Sequence, residues 1–132
     1  MMDNEQKKAL SKVRMEHAKE CLSTSKNNYR DGDCKSSANR SYYAIFHAMR
    51  AVLAFDGIDM RHHSGIISEF RRLYIKTGVF SAELSKIVDR AFRIRTEADY
   101  DDFYIVDIGS VKKQIDDAEM FITEIEAYLA TK

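Results

Sequence analysis

No proline interrupts any of the 132 residues of this chain. Proline removes a backbone N–H and clashes with the preceding helical turn, so its absence leaves long helices unbroken. Glycine is scarce as well, with five in all. The apolar spacing is helical almost throughout, and the breaks fall at a few polar or glycine-bearing sites.

Five helical segments follow from that spacing. The first runs from about Asn4 to Tyr29 and stops at Asp31-Gly32-Asp33, with Leu10, Val13, His17, Ala18, Cys21 and Leu22 expected inward. The second runs from about Cys34 to Phe55 and stops at Asp56-Gly57. The third begins near Ser64, an expected cap, and ends at Thr77-Gly78. The fourth starts at Ser81, and the fifth follows Gly109 with Ser110 as its expected cap. Val111, Ile115, Ala118, Ile122, Ile125 and Leu129 step by four and three along the fifth, a regular seam for helix packing. No stretch alternates long enough to build a sheet. Tyr100 to Ile108 is rich in aromatic and branched residues, but a lone strand has no partner, so a loop or short helical turn is expected. The expected fold is all-α: one domain over residues 1–132, an antiparallel up-and-down bundle of four long helices plus one shorter helix.

Net charge is zero, so no global basic field draws in nucleic acid. Charge is nevertheless uneven. Residues 35–95 hold eleven Lys/Arg against five Asp/Glu, and residues 96–132 hold three against ten. This fits either two faces that pair with each other or a basic patch that binds a ligand. Cys21 and Cys34 make neither a metal spacing nor a disulfide framework, and Cys21 is expected as a buried thiol. No targeting segment or long apolar run is present, so a cytoplasmic protein with no membrane contact is expected.

Two helices carry charge where burial is expected. The second is apolar nearly all round, yet bears Arg40 and His47, seven residues apart, with Arg50 near the same side. In the fourth, Leu84, Val88, Ala91, Arg95 and Ala98 share one face. A guanidinium is rarely fully buried without a partner. Arg95 is therefore either paired, with Asp99 one turn on as the natural partner, or aimed into a cleft. His62-His63 is a tempting metal pair, but adjacent histidines point apart and no third ligand is suitably spaced, so no metal or other cofactor is expected.

Three segments are similar to signatures of the HEPN superfamily: Asn39-Arg40-Ser41-Tyr42-Tyr43-Ala44-Ile45-Phe46-His47-Ala48, His62-His63-Ser64-Gly65, and Arg93-Ile94-Arg95-Thr96-Glu97-Ala98-Asp99-Tyr100. They occur in order and span residues 39–100. The resemblance implies a helical bundle that often dimerises. It also implies a toxin partnered with a minimal nucleotidyltransferase, whose catalytic members are metal-independent endoribonucleases. Those members carry an arginine, a spacer of four to six residues and a histidine near a helix end.

Carried over by position, Arg95 matches that arginine, but Tyr100 stands where the histidine should be. A histidine titrating near 6.5 suits proton abstraction from a ribose 2′-hydroxyl, and a tyrosine near 10 does not. Arg40 and His47 satisfy the same loose spacing, though mid-helix. The expected catalytic set is Arg95 for phosphate and transition-state charge, Asp99 to orient it, and Tyr100, His63 or His47 for proton transfer. Arg40, Tyr43 and Arg95 are the expected nucleotide-binding set. In some relatives a tyrosine near this motif accepts AMP from the partner nucleotidyltransferase, a role that Tyr100 or Tyr104 could fill. The competing expectation is a non-catalytic module that binds a nucleotide or docks on a nucleotidyltransferase, and the missing histidine favours it.

Overall fold

In a computed structural model, which describes residues 2–100 and 106–132 (Tyr100 by its backbone alone), the chain folds as five α-helices. These are α1 (Asn4–Arg30), α2 (Cys34–Phe55), α3 (His63–Phe70), α4 (Ala82–Tyr100) and α5 (Ile108–Ala130). A π-helical stretch, Arg71–Ile75, extends α3. The Lys76 N–H reaches back to the Arg71 carbonyl at 2.9 Å, the wider ring of that geometry. No strand occurs among the described residues. Four helices are long and α3 is short, so the bundle has the expected architecture.

The helix ends follow from local chemistry. Asp3 caps α1 in a full capping box with Gln6, with contacts of 2.8 and 2.9 Å. The α1 and α2 helices both close with a glycine at positive φ, Gly32 at 83° and Gly57 at 82°. The Gly57 N–H bonds to the Ala54 carbonyl and the Ile58 N–H to the Leu53 carbonyl, both at 2.9 Å, which satisfies the last orphan acceptors of α2. Two expected caps differ. Asp107, not Ser110, caps α5, because its carboxylate accepts from the N–H groups of Gly109 and Ser110 and from the Ser110 hydroxyl. Helix α3 begins one residue before Ser64, with His62 at the cap position and no side-chain cap bond.

Helix α2 is the axis of the bundle and packs against α1, α4 and α5. Its Tyr42, Ile45, Met49, Val52 and Leu53 are all at most 1% exposed. Each such large side chain contributes about 1.5–3 kcal/mol through burial. Phe70, Phe80 and Phe121 close one end of the core by ring contacts.

The inward stripe of α1 is rotated from the expected one. Met15, Ala18 and Leu22 are buried together with Ser11, Arg14 and Ser25. Val13 is 45% exposed, His17 is exposed, and Leu10 and Cys21 are half-buried. Hydroxyl pairing makes the polar stripe tolerable: Ser25 donates to the Ser37 carbonyl at 2.7 Å and Ser37 to the Ser25 carbonyl at 2.8 Å. Uneven charge is partly resolved within the bundle, since Arg90 of α4 pairs with Asp117 of α5 at 3.2 Å. Among the described residues no helix is long and apolar enough to cross a membrane.

Candidate functional site

Arg95 comes from the inward stripe of α4, where Leu84, Val88, Ala91 and Ala98 are buried around it. Its side chain keeps 18% exposure, enough to reach solvent with one edge. The guanidinium is held from several sides. Nε lies 3.0 Å from the Asp99 carboxylate one turn on, a charge contact in which the N–H is not aligned for a hydrogen bond. Nη2 donates to the Tyr43 hydroxyl at 3.3 Å. Its carbon sits 5.4 Å from the centre of the Tyr42 ring and 5.7 Å from that of Tyr43, within cation–π range. Both the ion pair and the aimed cation foreseen for Arg95 thus exist in one arrangement.

His63 enters from the first turn of α3. Its ring stacks on Phe46 with centres 4.1 Å apart, and Nδ1 lies 2.9 Å from the Tyr42 hydroxyl. Burial, then the Arg95 charge, then Arg50 hold its pKa below the usual histidine value. Tyr42 is fully buried, and burial raises its pKa to about 12 despite the opposing pull of Arg95. Tyr42 and Phe46 are therefore core residues that double as a platform for a histidine and an arginine.

Arg95 and His63 open onto a cleft of about 880 Å³ between α4 and the α3–π segment. Its walls carry Arg71, Arg72 and Lys76 against one carboxylate, Asp89, and Phe92 lies in the wall at 41% exposure. Arg71 pairs with Asp89 and with the Ser85 hydroxyl, and Arg72 with Glu69. A cationic, partly apolar groove of this kind suits a phosphate-bearing ligand with a ring to stack. Arg71, Lys76 and Phe92 are cleft residues that the sequence does not mark. Their spacing reads as an ordinary solvated helix face, and only the packing of two helices turns it into a wall.

The other expected residues divide clearly. Tyr43 is half-buried, with both Arg95 and Arg40 near its ring, the Arg40 carbon 5.1 Å from its ring centre. Arg40 donates twice to the Asn39 side chain and faces a shallow depression that Asp99 also lines. His47 lies away from the main cleft. It is half-buried against α1, its ring 5.7 Å from that of His17. Burial and the surrounding His17, Arg50, Arg14 and Arg40 lower its pKa to about 4. The Tyr100 side chain and the whole of Tyr104 lie outside the described residues, as does the segment from 101 to 105. Among the described residues no three His, Cys, Asp or Glu side chains come together as a metal site.

Comparison with known proteins bears on this geometry. The family described as HEPN domain matches residues 11–128. A protein of Thermotoga maritima named "UPF0332 protein" is 35% identical over 123 residues, covering 93% of this chain and 92% of the relative. Two proteins of Methanocaldococcus jannaschii, each named "Putative toxin", are 27% and 28% identical. The alignments cover 100% and 87% of this chain, and 89% and 85% of those relatives.

Proposed function

We propose, from the premise that this chain belongs to the HEPN domain family, that it is a toxin-like cytoplasmic protein acting on RNA or a nucleotide at the Arg95 cleft. The names of the two Methanocaldococcus jannaschii relatives support the toxin-like part. The family resemblance supports a homodimer with a minimal nucleotidyltransferase as its partner. One observation carries the choice of site: Arg95 is fixed on its inner side by Asp99 and two tyrosine rings, and its outer edge opens beside His63 into a cationic groove.

The chemistry on this reading needs no metal. The 2′-hydroxyl of a ribose gives up its proton to a base, and its oxygen attacks the adjacent phosphorus. The 5′-oxygen leaves with a proton, giving a 2′,3′-cyclic phosphate and a new 5′-hydroxyl. Arg95 binds the phosphate and steadies the charge that builds on its oxygens, and Asp99 keeps the guanidinium turned toward it. His63 is the proton-transfer group next to that charge; its lowered pKa keeps it neutral at pH 7. His47 is less suited, since it faces α1. Tyr100 and Tyr104 remain the proposed acceptors of AMP from the partner.

A second reading keeps the same cleft without turnover, as a nucleotide-binding or adaptor module docking on a nucleotidyltransferase. It is favoured by tyrosine in place of the motif histidine at position 100. Incubating the purified protein with RNA in EDTA, beside Arg95→Ala, decides between the two. Cleavage by the parent that is lost in the variant supports the nuclease. No cleavage at high protein concentration, with thermal stabilisation by nucleotide that the variant loses, supports the binding module.

A further inference from the structure

A second polar cluster lies where α1, α2 and the loop between α2 and α3 meet, and the Arg95 cleft does not use it. The Arg14 side chain is only 10% exposed, deep for a guanidinium, and Arg50 keeps 21%. Both reach one carboxylate oxygen of Asp59, at 2.7 and 3.4 Å. Arg61 adds a third positive charge that acts on Arg50. His47 and His17 complete the cluster.

The cluster has too few acceptors. Among the described residues, Arg14 Nη1, Arg50 Nε and His47 Nδ1 are all buried without a hydrogen-bond partner. Two guanidiniums share a single carboxylate, whose own side chain is 48% exposed, and Arg61 adds a like charge that no carboxylate contact offsets among the described residues. Buried donors without acceptors are costly, and more so beside like charge. A group with more oxygens and more negative charge than one carboxylate would satisfy them. A phosphate has that composition, and guanidiniums bind it through paired N–H groups.

We propose that Arg14, Arg50 and His47, with His17 at the rim, form an anion subsite for a phosphate group, filled in the resting protein by the chain's own Asp59. The carboxylate acts as an internal stand-in that the ligand displaces. Its place in a loop, bound through two guanidinium contacts, lets it leave without disturbing a helix. The Phe46 ring, stacked on His63 and 6.0 Å from the Arg50 guanidinium carbon, separates this subsite from the Arg95 cleft. The proposal stands independently of what that cleft does.

The test follows the histidine ring signals by NMR during titration with inorganic pyrophosphate, and separately with a 2′-O-methyl oligonucleotide that cannot be cleaved. Signals of His17 and His47 should move. Asp59→Asn keeps an acceptor but removes the competing charge, and should bind about tenfold more tightly, the scale of one charge-assisted hydrogen bond. Arg50→Gln should abolish the shifts, and Arg50→Lys, which keeps the charge and the stem, should weaken them. The same shifts should survive in Arg95→Ala, so a failure here and a failure at the main cleft are distinguishable. Response to pyrophosphate alone assigns the subsite to free phosphates, and response to the oligonucleotide assigns it to a strand. Equal affinity in Asp59→Asn and the parent, shifts confined to His62 and His63, or no shift with either probe would overturn the proposal.

Discussion

The Tyr42 hydroxyl lies 2.9 Å from Nδ1 of His63, and this contact sets what the histidine can offer the cleft. Tyr42 is fully buried and stays protonated at any ordinary pH, since its pKa is raised to about 12. Its hydroxyl has no other acceptor among the described residues, so it donates to Nδ1. The ring proton of neutral His63 is thereby placed on Nε2. In that tautomer neutral His63 presents an N–H, suited to hydrogen-bonding a phosphate oxygen or the leaving 5′-oxygen, and it becomes a base toward the 2′-hydroxyl only when its proton moves to Nδ1 and frees Nε2.

Nitrogen NMR of the parent should therefore show His63 as the Nε2–H tautomer. Tyr42→Phe removes the donor, and both tautomers should then be populated. The ring packing is retained in that variant, so the stability loss should be about 1 kcal/mol, the scale of one neutral hydrogen bond. A parent spectrum dominated by Nδ1–H would refute the assignment of the donor.

The two depressed histidines make stability depend on pH with a definite sign. His47 drops from 6.5 to about 4 on folding and His63 shifts the same way, so the unfolded chain binds more protons than the native one. Stability should be intact above about pH 6.5 and fall as pH is lowered toward about 4. Because His47 is only half-buried, its share should be discounted to about 2 kcal/mol. Urea unfolding at pH 7 and pH 4.5 measures it. His47→Gln should flatten much of the slope, and an unchanged slope in that variant would place the effect elsewhere.

Much of the fold is legible in the sequence because helix periodicity is local. Val111, Ile115, Ala118, Ile122 and Ile125 announce their seam by spacing, and all five are buried. The rotation of α1 is not legible in the same way. Its inward face is partly polar, and Ser25 reads as core only once the Ser37 carbonyl is known to stand opposite. The site divides along the same line. Arg95 is conspicuous because a charge on an apolar stripe breaks a local rule, and Asp99 one turn away is its natural partner. The place of His63 beside Tyr42 depends on a chain separation of 21 residues, and the cleft wall of Arg71 and Lys76 on how two helices lie together. No periodicity encodes either.

Arg95→Lys should not restore the function of the cleft, although it keeps the charge. The guanidinium is bound at once by the Asp99 carboxylate, the Tyr43 hydroxyl and two ring faces, and a compact ammonium cannot meet all four. If the protein cleaves RNA, the rate should fall about a hundredfold, the usual scale for losing one oriented charge donor at a transition state. If it only binds nucleotide, the ligand-induced rise in Tm should be largely lost. Near-parental activity in the lysine variant would show that charge alone suffices.

Gln114 offers a test of the core that is independent of the cleft. It is 2% exposed on α5, and its amide donates to the Ala38 carbonyl at 2.8 Å and to the Ser41 hydroxyl at 2.6 Å, both on α2. Its own Oε1 is buried without a partner among the described residues. Ser41 already donates within α2, to the Ser37 carbonyl at 2.9 Å. Removing the glutamine therefore strands little on α2 and eliminates one orphaned acceptor. Gln114→Leu, which fills nearly the same volume, should stay within about 1 kcal/mol of the parent, because replacing a poorly satisfied polar group by a similar apolar one is close to neutral. Gln114→Ala should lose about 2 kcal/mol more, the cost of the cavity. Denaturation midpoints of the three proteins give the comparison, and a leucine variant far below the parent, close to the alanine variant, would mean that the two amide bonds outweigh the packing.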